Sequence, residues 1–92
     1  MVLYCEIDLR IPMAQSLKDK RSIIKSLQEK LRNKFNIAIS ELGNNDLWKR
    51  TKLGVVTVSN DIKHSDRVFQ KVIDFIEEFY QVQVINYDIE RK

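Results

Sequence analysis

Two adjoining stretches decide the fold: VLYCEIDLRI (residues 2–11) and SLKDKRSIIKSLQEKLRNKF (residues 16–35). In the first, Leu3, Cys5, Ile7, Leu9 and Ile11 alternate with Tyr4, Glu6, Asp8 and Arg10. A period of two with one apolar face predicts a half-buried strand, and Pro12 closes it by removing a backbone donor. In the second the period changes. At about 100° per residue, Leu17, Ile24, Leu27, Leu31 and Phe35 fall within a stripe about 80° wide, with Ile23 at its flank. This is an amphipathic helix, and Ser16 or Leu17 stands at its start, where a serine satisfies open backbone N–H groups.

Working outward, residues 36–42 read as a second strand, with Ile37 and Ile39 alternating against Asn36, Ala38 and Ser40. Gly43, Asn44, Asn45 and Asp46 supply turn chemistry. KLGVVTVS (residues 52–59) is rich in β-branched residues and reads as a central third strand. Ser59, Asn60 and Asp61 offer caps for a second helix over residues 62–80 with a broad apolar face from Val68 to Phe79. Residues 81–90 finish as a strand in which Ile85, Tyr87 and Ile89 oppose Asn86, Asp88 and Glu90. The order β-α-β-β-α-β has no break for a domain boundary, so residues 1–92 form one domain. Right-handed crossovers then put both helices on one face of a four-stranded antiparallel sheet of order 4-1-3-2: an α+β, ferredoxin-like sandwich with its other face uncovered.

Ninety-two residues, 43% of them hydrophobic, suit one small core. Two glycines and one proline exclude a linker-rich chain. Cys5 is the only cysteine, so no internal disulfide forms and a zinc site needs other ligands. No apolar run approaches the roughly 20 residues that span a bilayer. The start MVLYCEIDLR lacks the order of a signal peptide. The expectation is a soluble intracellular domain without a membrane partner.

Charge is distributed unevenly. Residues 18–34 hold seven basic and two acidic groups, net +5, whereas the remainder is net −2. On the helical wheel Lys18, Arg21, Lys25 and Arg32 lie within about 60° of one another, beside the apolar stripe. Such a row tracks phosphates; it is also what a solvated face looks like, with tethered lysine stems and a Lys25–Glu29 pair. Lys20 is anomalous, because its angle falls inside the apolar stripe. Either it precedes the regular helix, or it buries its stem and extends its ammonium at the helix end. Trp48, beside Lys49 and Arg50, either stacks on a base or anchors an interface, or folds back with Leu47 over the end of the core.

The uncovered face reads differently. Strand one shows Tyr4, Glu6 and Asp8 there, and strand four Asn86, Asp88 and Glu90. An RNA-recognition sheet needs stacking aromatics on its central strands, and only Tyr4 qualifies. The four carboxylates are either a hard-cation site or merely solvated. His64 has no nucleophile beside it in the pattern, and GxGxxG, P-loop and HExxH motifs are absent. No catalytic residue, metal site or cofactor is expected, and an enzyme is the weaker reading.

SLKDKRSIIKSLQEKLRNKFN, the Asp46-Leu47-Trp48 triplet and LGVVTVSND, in that order, resemble the YlxP-like family of small bacterial proteins of unknown function. The resemblance spans nearly the whole chain. It implies a ferredoxin-like fold and a cytoplasmic bacterial protein whose genes often lie near those for translation and ribosome maturation. It brings no activity and no catalytic residues. Two functional expectations follow. One is an RNA- or ribosome-associated factor that contacts phosphate through Lys18, Lys20, Arg21, Lys25 and Arg32, with Lys49 and Arg50 as a second patch. The other is a protein-interaction module, a homo-oligomer built through an edge strand, the open sheet with Tyr4, or the Trp48 region.

Overall fold

The computed structural model describes residues 1–43, 47–79 and 81–92. The elements are β1 (Val2–Arg10), α1 (Leu17–Lys34), β2 (Ala38–Gly43), β3 (Arg50–Val58), α2 (Ile62–Glu78) and β4 (Gln83–Arg91). The sheet is antiparallel throughout with order β2-β3-β1-β4, the expected 4-1-3-2 read from the other edge. Three expected turn residues, Asn44, Asn45 and Asp46, and the expected end of the second helix at Tyr80 lie outside the described residues.

The alternation of β1 produces the core directly. Leu3, Cys5, Ile7, Leu9 and Ile11 are all buried. They meet Ile24, Leu27 and Leu31 from α1 and Phe69, Val72, Ile73 and Ile76 from α2, with Leu53 and Val55 from β3. Phe35 at the end of α1 packs edge to face against Phe75 of α2, centroids 6.3 Å apart.

Local chemistry sets the boundaries. At the start of α1, Ser16 Oγ accepts from the Asp19 N–H at 3.1 Å, and the Asp19 carboxylate accepts from the Gln15 N–H at 3.1 Å. The pair satisfies one N–H that the first turn leaves open and fixes the residue that precedes the cap. Of the three candidates before α2, Asp61 is the cap, accepting from the Lys63 and His64 N–H groups at 3.0 and 3.5 Å. β2 starts two residues later than the alternation suggests, because the Ile37 N–H turns back to the Phe35 carbonyl. β4 likewise starts at Gln83, after the Val82 N–H bonds to Phe79 O. β3 starts early, at Arg50, because β1 runs on to Arg10 and offers it a partner.

Candidate functional site

The basic row and the apolar stripe of α1 separate cleanly in space. On one flank, Lys30 Nζ lies 4.9 Å from the Phe79 ring centroid and Lys34 Nζ 5.0 Å from that of Phe75, so this flank leans on α2. On the other flank, an Arg32 Nη2 donates to Gln28 Oε1 at 3.1 Å and to the Ile39 carbonyl of β2 at 3.5 Å. Lys18, Arg21, Lys25 and Arg32 therefore run along the β2 side of the molecule, and all four are exposed. Lys18, Arg21 and Lys25 form no ion pair among the described residues, and the expected Lys25–Glu29 pair is not among the contacts made.

Lys20 is not part of this surface. It lies within α1, its side chain is 1% exposed, and its ammonium sits 3.1 Å from Glu41 Oε2 on β2. The same carboxylate accepts from the Thr51 hydroxyl of β3. Lys20 shares its helical angle with Leu27 and Leu31, so the helix carries the charge inward, where the Glu41 carboxylate of β2 meets it and is itself held by the Thr51 hydroxyl of β3. Of the five α1 cations expected to reach phosphate, Lys20 is thus withdrawn by burial.

The start of α1 shares one end of the domain with the end of β1 and the start of β3. There the register sets Arg10 directly opposite Arg50. Lys49 is the neighbour of Arg50, and its carbonyl accepts from the Ile11 N–H at 2.9 Å, tying the segment before β3 to the end of β1. Lys49, Arg50 and Arg10 are exposed. Leu47 and Trp48 do not close the core, being 49% and 50% exposed, and with Lys49 and Arg50 they line a shallow open depression. Arg10 was not singled out by sequence, because only the strand register reveals that it faces a second arginine.

The open face divides in two. On β1 and β4 the register puts Glu6 opposite Asp88, Tyr4 opposite Glu90 and Asp8 opposite Asn86. Lys52 Nζ from β3 lies 3.4 Å from Glu6 and 4.0 Å from Asp8. Among the described residues no group of three or more His, Cys, Asp or Glu is placed to hold a metal. The other half is apolar: Tyr4, Ala38, Leu42, Gly54 and Val56 line a shallow depression. The Tyr4 hydroxyl donates to Glu6 Oε2 at 3.0 Å, and desolvation together with this carboxylate raises its pKa. Cys5 lies on the opposite, buried side of the sheet, where desolvation pushes its thiol up to about 11. His64 is exposed in the first turn of α2.

Fold and site together define a small ferredoxin-like α/β sandwich with an exposed cationic edge. The chain belongs to the family described as a protein of unknown function (DUF503), whose model matches residues 2–89. It is 36% identical over 83 residues to the uncharacterized protein YlxP of Bacillus subtilis (strain 168), covering 90% of each chain. Two de novo designed proteins share the fold. Foldit4 superposes with a TM-score of 0.63 at 15% identity, over 100% of this chain and 99% of its own. LFR1 1, a design with a ferredoxin fold solved by NMR, gives 0.58 at 14% identity, over 100% and 83%. These two likenesses concern the fold alone.

Proposed function

We propose that this protein is an RNA- or ribosome-associated factor of the cytoplasm that acts by binding. The phosphate backbone is held by Lys18, Arg21, Lys25 and Arg32 along the β2 side of α1, continued by Arg10, Lys49 and Arg50 at the adjoining end. One observation carries the reading. Arg10 and Arg50 stand opposite each other although like charges across a sheet are destabilising, and a polyanion is what turns that cost into binding energy. Trp48, half exposed beside two of these cations, offers a face on which an unpaired base stacks. Arg10 and Arg50 reach this contact from the terminal rung of the open face, whereas the rest of that face is set against it because the carboxylates of β1 and β4 repel phosphate.

The test is the affinity of a fluorescent single-stranded RNA for the wild type and for the triple variant Lys18→Glu, Arg21→Glu, Lys25→Glu. The expected result is a loss of at least about tenfold, since phosphate contacts supply most of such an affinity. An affinity left unchanged would sink the proposal. Lys63 and Lys71, exposed on α2, provide the control: the same reversal there is expected to matter much less.

A further inference from the structure

β4 is an edge strand with an unusual profile. Its Ile85, Tyr87 and Ile89 are 43, 41 and 41% exposed, and no strand pairs with its outer side among the described residues. The opposite edge is managed differently. β2 has six residues, a register shift between Glu41 and Gly43 interrupts it, and Arg32 donates to its Ile39 carbonyl. Short strands, bulges and covering side chains are the usual ways of blunting an edge. β4 has nine residues, and beyond the shift that skips Ile85 it runs straight through residues 86–91.

The direction of its backbone groups follows from one bond. The Lys92 N–H donates to the Val2 carbonyl at 2.8 Å, which makes Val2 and Lys92 a hydrogen-bonded pair. In an antiparallel ladder such pairs alternate. Asn86, Asp88 and Glu90 therefore turn their N–H and C=O groups to β1, whereas Tyr87, Ile89 and Arg91 turn theirs outward. The apolar side chains and the open backbone groups thus belong to the same residues.

We propose that β4 is a self-association edge, pairing antiparallel with β4 of a second copy about a two-fold axis at Tyr87. This is independent of the RNA reading. The chemistry of the strand selects the register. Centred on Tyr87, all nine residues of Gln83–Arg91 find partners. Tyr87 meets Tyr87 of the second copy, Ile85 meets Ile89, Asn86 meets Asp88, Val84 meets Glu90, and Gln83 meets Arg91; no two carboxylates oppose. Centred on Asp88, two aspartates face each other. Centred on Ile89, Asp88 faces Glu90 twice. Centred on Asn86, the pairing shortens to seven residues and the skipped Ile85 falls beside the axis. Only the Tyr87 register joins full length to charge compatibility. The product is a continuous eight-stranded sheet with helices on one face and the cationic β2 sides at its two outer ends.

The test is sedimentation equilibrium of the whole chain from micromolar to near-millimolar concentration, with two substitutions chosen for the geometry. Tyr87→Pro deletes an outward N–H that the β1–β4 ladder does not use, so the expected result is a folded monomer by circular dichroism. Should that variant unfold, Tyr87→Lys places a charge on the axis and is expected to raise the dimer dissociation constant by at least about tenfold. Tyr87→Cys sets two thiols opposite each other at about 5.5 Å between Cα atoms, within disulfide reach, and is expected to crosslink under mild oxidation. Asp88→Cys, off the axis, is expected to crosslink poorly. A wild type that stays monomeric at the highest concentration overturns the proposal. So does a dimer indifferent to both Tyr87→Pro and Tyr87→Lys, or equal crosslinking through position 88.

Discussion

Arg10 and Arg50 stand directly opposite each other at the end of the β1–β3 ladder, and neither forms an ion pair among the described residues. Two rungs along the same ladder, and on the same face, Asp8 is opposite Lys52, whose ammonium lies 4.0 Å from it. The sheet thus neutralises its interior cation and leaves the terminal pair uncompensated. Arg10→Thr is expected to raise stability slightly, by about 0.2–1 kcal/mol, because it removes a like-charge pair and adds a β-branched residue. It is expected at the same time to weaken RNA binding. Urea unfolding and RNA titration of one variant check both signs.

The buried pair makes the opposite prediction. Glu41→Gln takes a carboxylate from an ammonium that is 1% exposed, and is expected to cost about 3 kcal/mol. Lys20→Met keeps the stem's volume and leaves Glu41, 24% exposed, with the Thr51 hydroxyl, so it is expected to cost less. The double variant should lie near Lys20→Met alone. Additive losses in chemical denaturation would show that the two groups do not act as a unit.

On the open face Leu42 folds over Gly54: a Cβ built on that glycine meets Leu42 Cδ1 at 2.7 Å. Leu42 is 48% exposed and can swing away, so Gly54→Ala is expected to cost little. Gly54→Val is expected to cost about 1–3 kcal/mol, the usual range for overpacking. Leu42→Ala in the same chain should abolish most of that cost, which a double-mutant cycle in urea reads directly.

Cys5 provides a pH handle. Its folded thiol titrates at about 11, above its ordinary value of 9.0, because burial disfavours the thiolate. The native state therefore holds this proton more tightly than the unfolded chain. The contribution is fully present below the unfolded value and is lost as pH rises through the interval from about 9 to about 11. Wild-type stability is expected to fall across that interval more steeply than that of Cys5→Ala. At pH 8 a thiol reagent should label Cys5 only on unfolding, and rapid labelling of the native protein would contradict its burial.

Most of the architecture was legible from local pattern. The shift from period two to period 3.6 after Pro12 separated β1 from α1, and Ser16 and the Ser59–Asp61 run marked both helix starts. What could not be read depends on contacts distant in sequence. Lys20 declared itself odd by angle, but its partner Glu41 lies 21 residues away on another element. Arg10 looked like one more outward residue until the register placed it against Arg50. Ile85, Tyr87 and Ile89 alternate as a half-buried strand should, yet β4 lies at the sheet's edge, where the helices cover them only in part. Trp48 could not be assigned because a connecting segment carries no period, and its exposure decides against its covering the core.

The most direct test of the cationic edge is the salt dependence of single-stranded RNA binding by the wild-type protein. Contact with four to six phosphates is expected to make log K fall linearly with log salt, with a slope of roughly −3 to −4, since each contact with a single strand releases about 0.7 counterion. An affinity that does not change between low and physiological salt would contradict phosphate recognition by Lys18, Arg21, Lys25, Arg32, Arg10, Lys49 and Arg50.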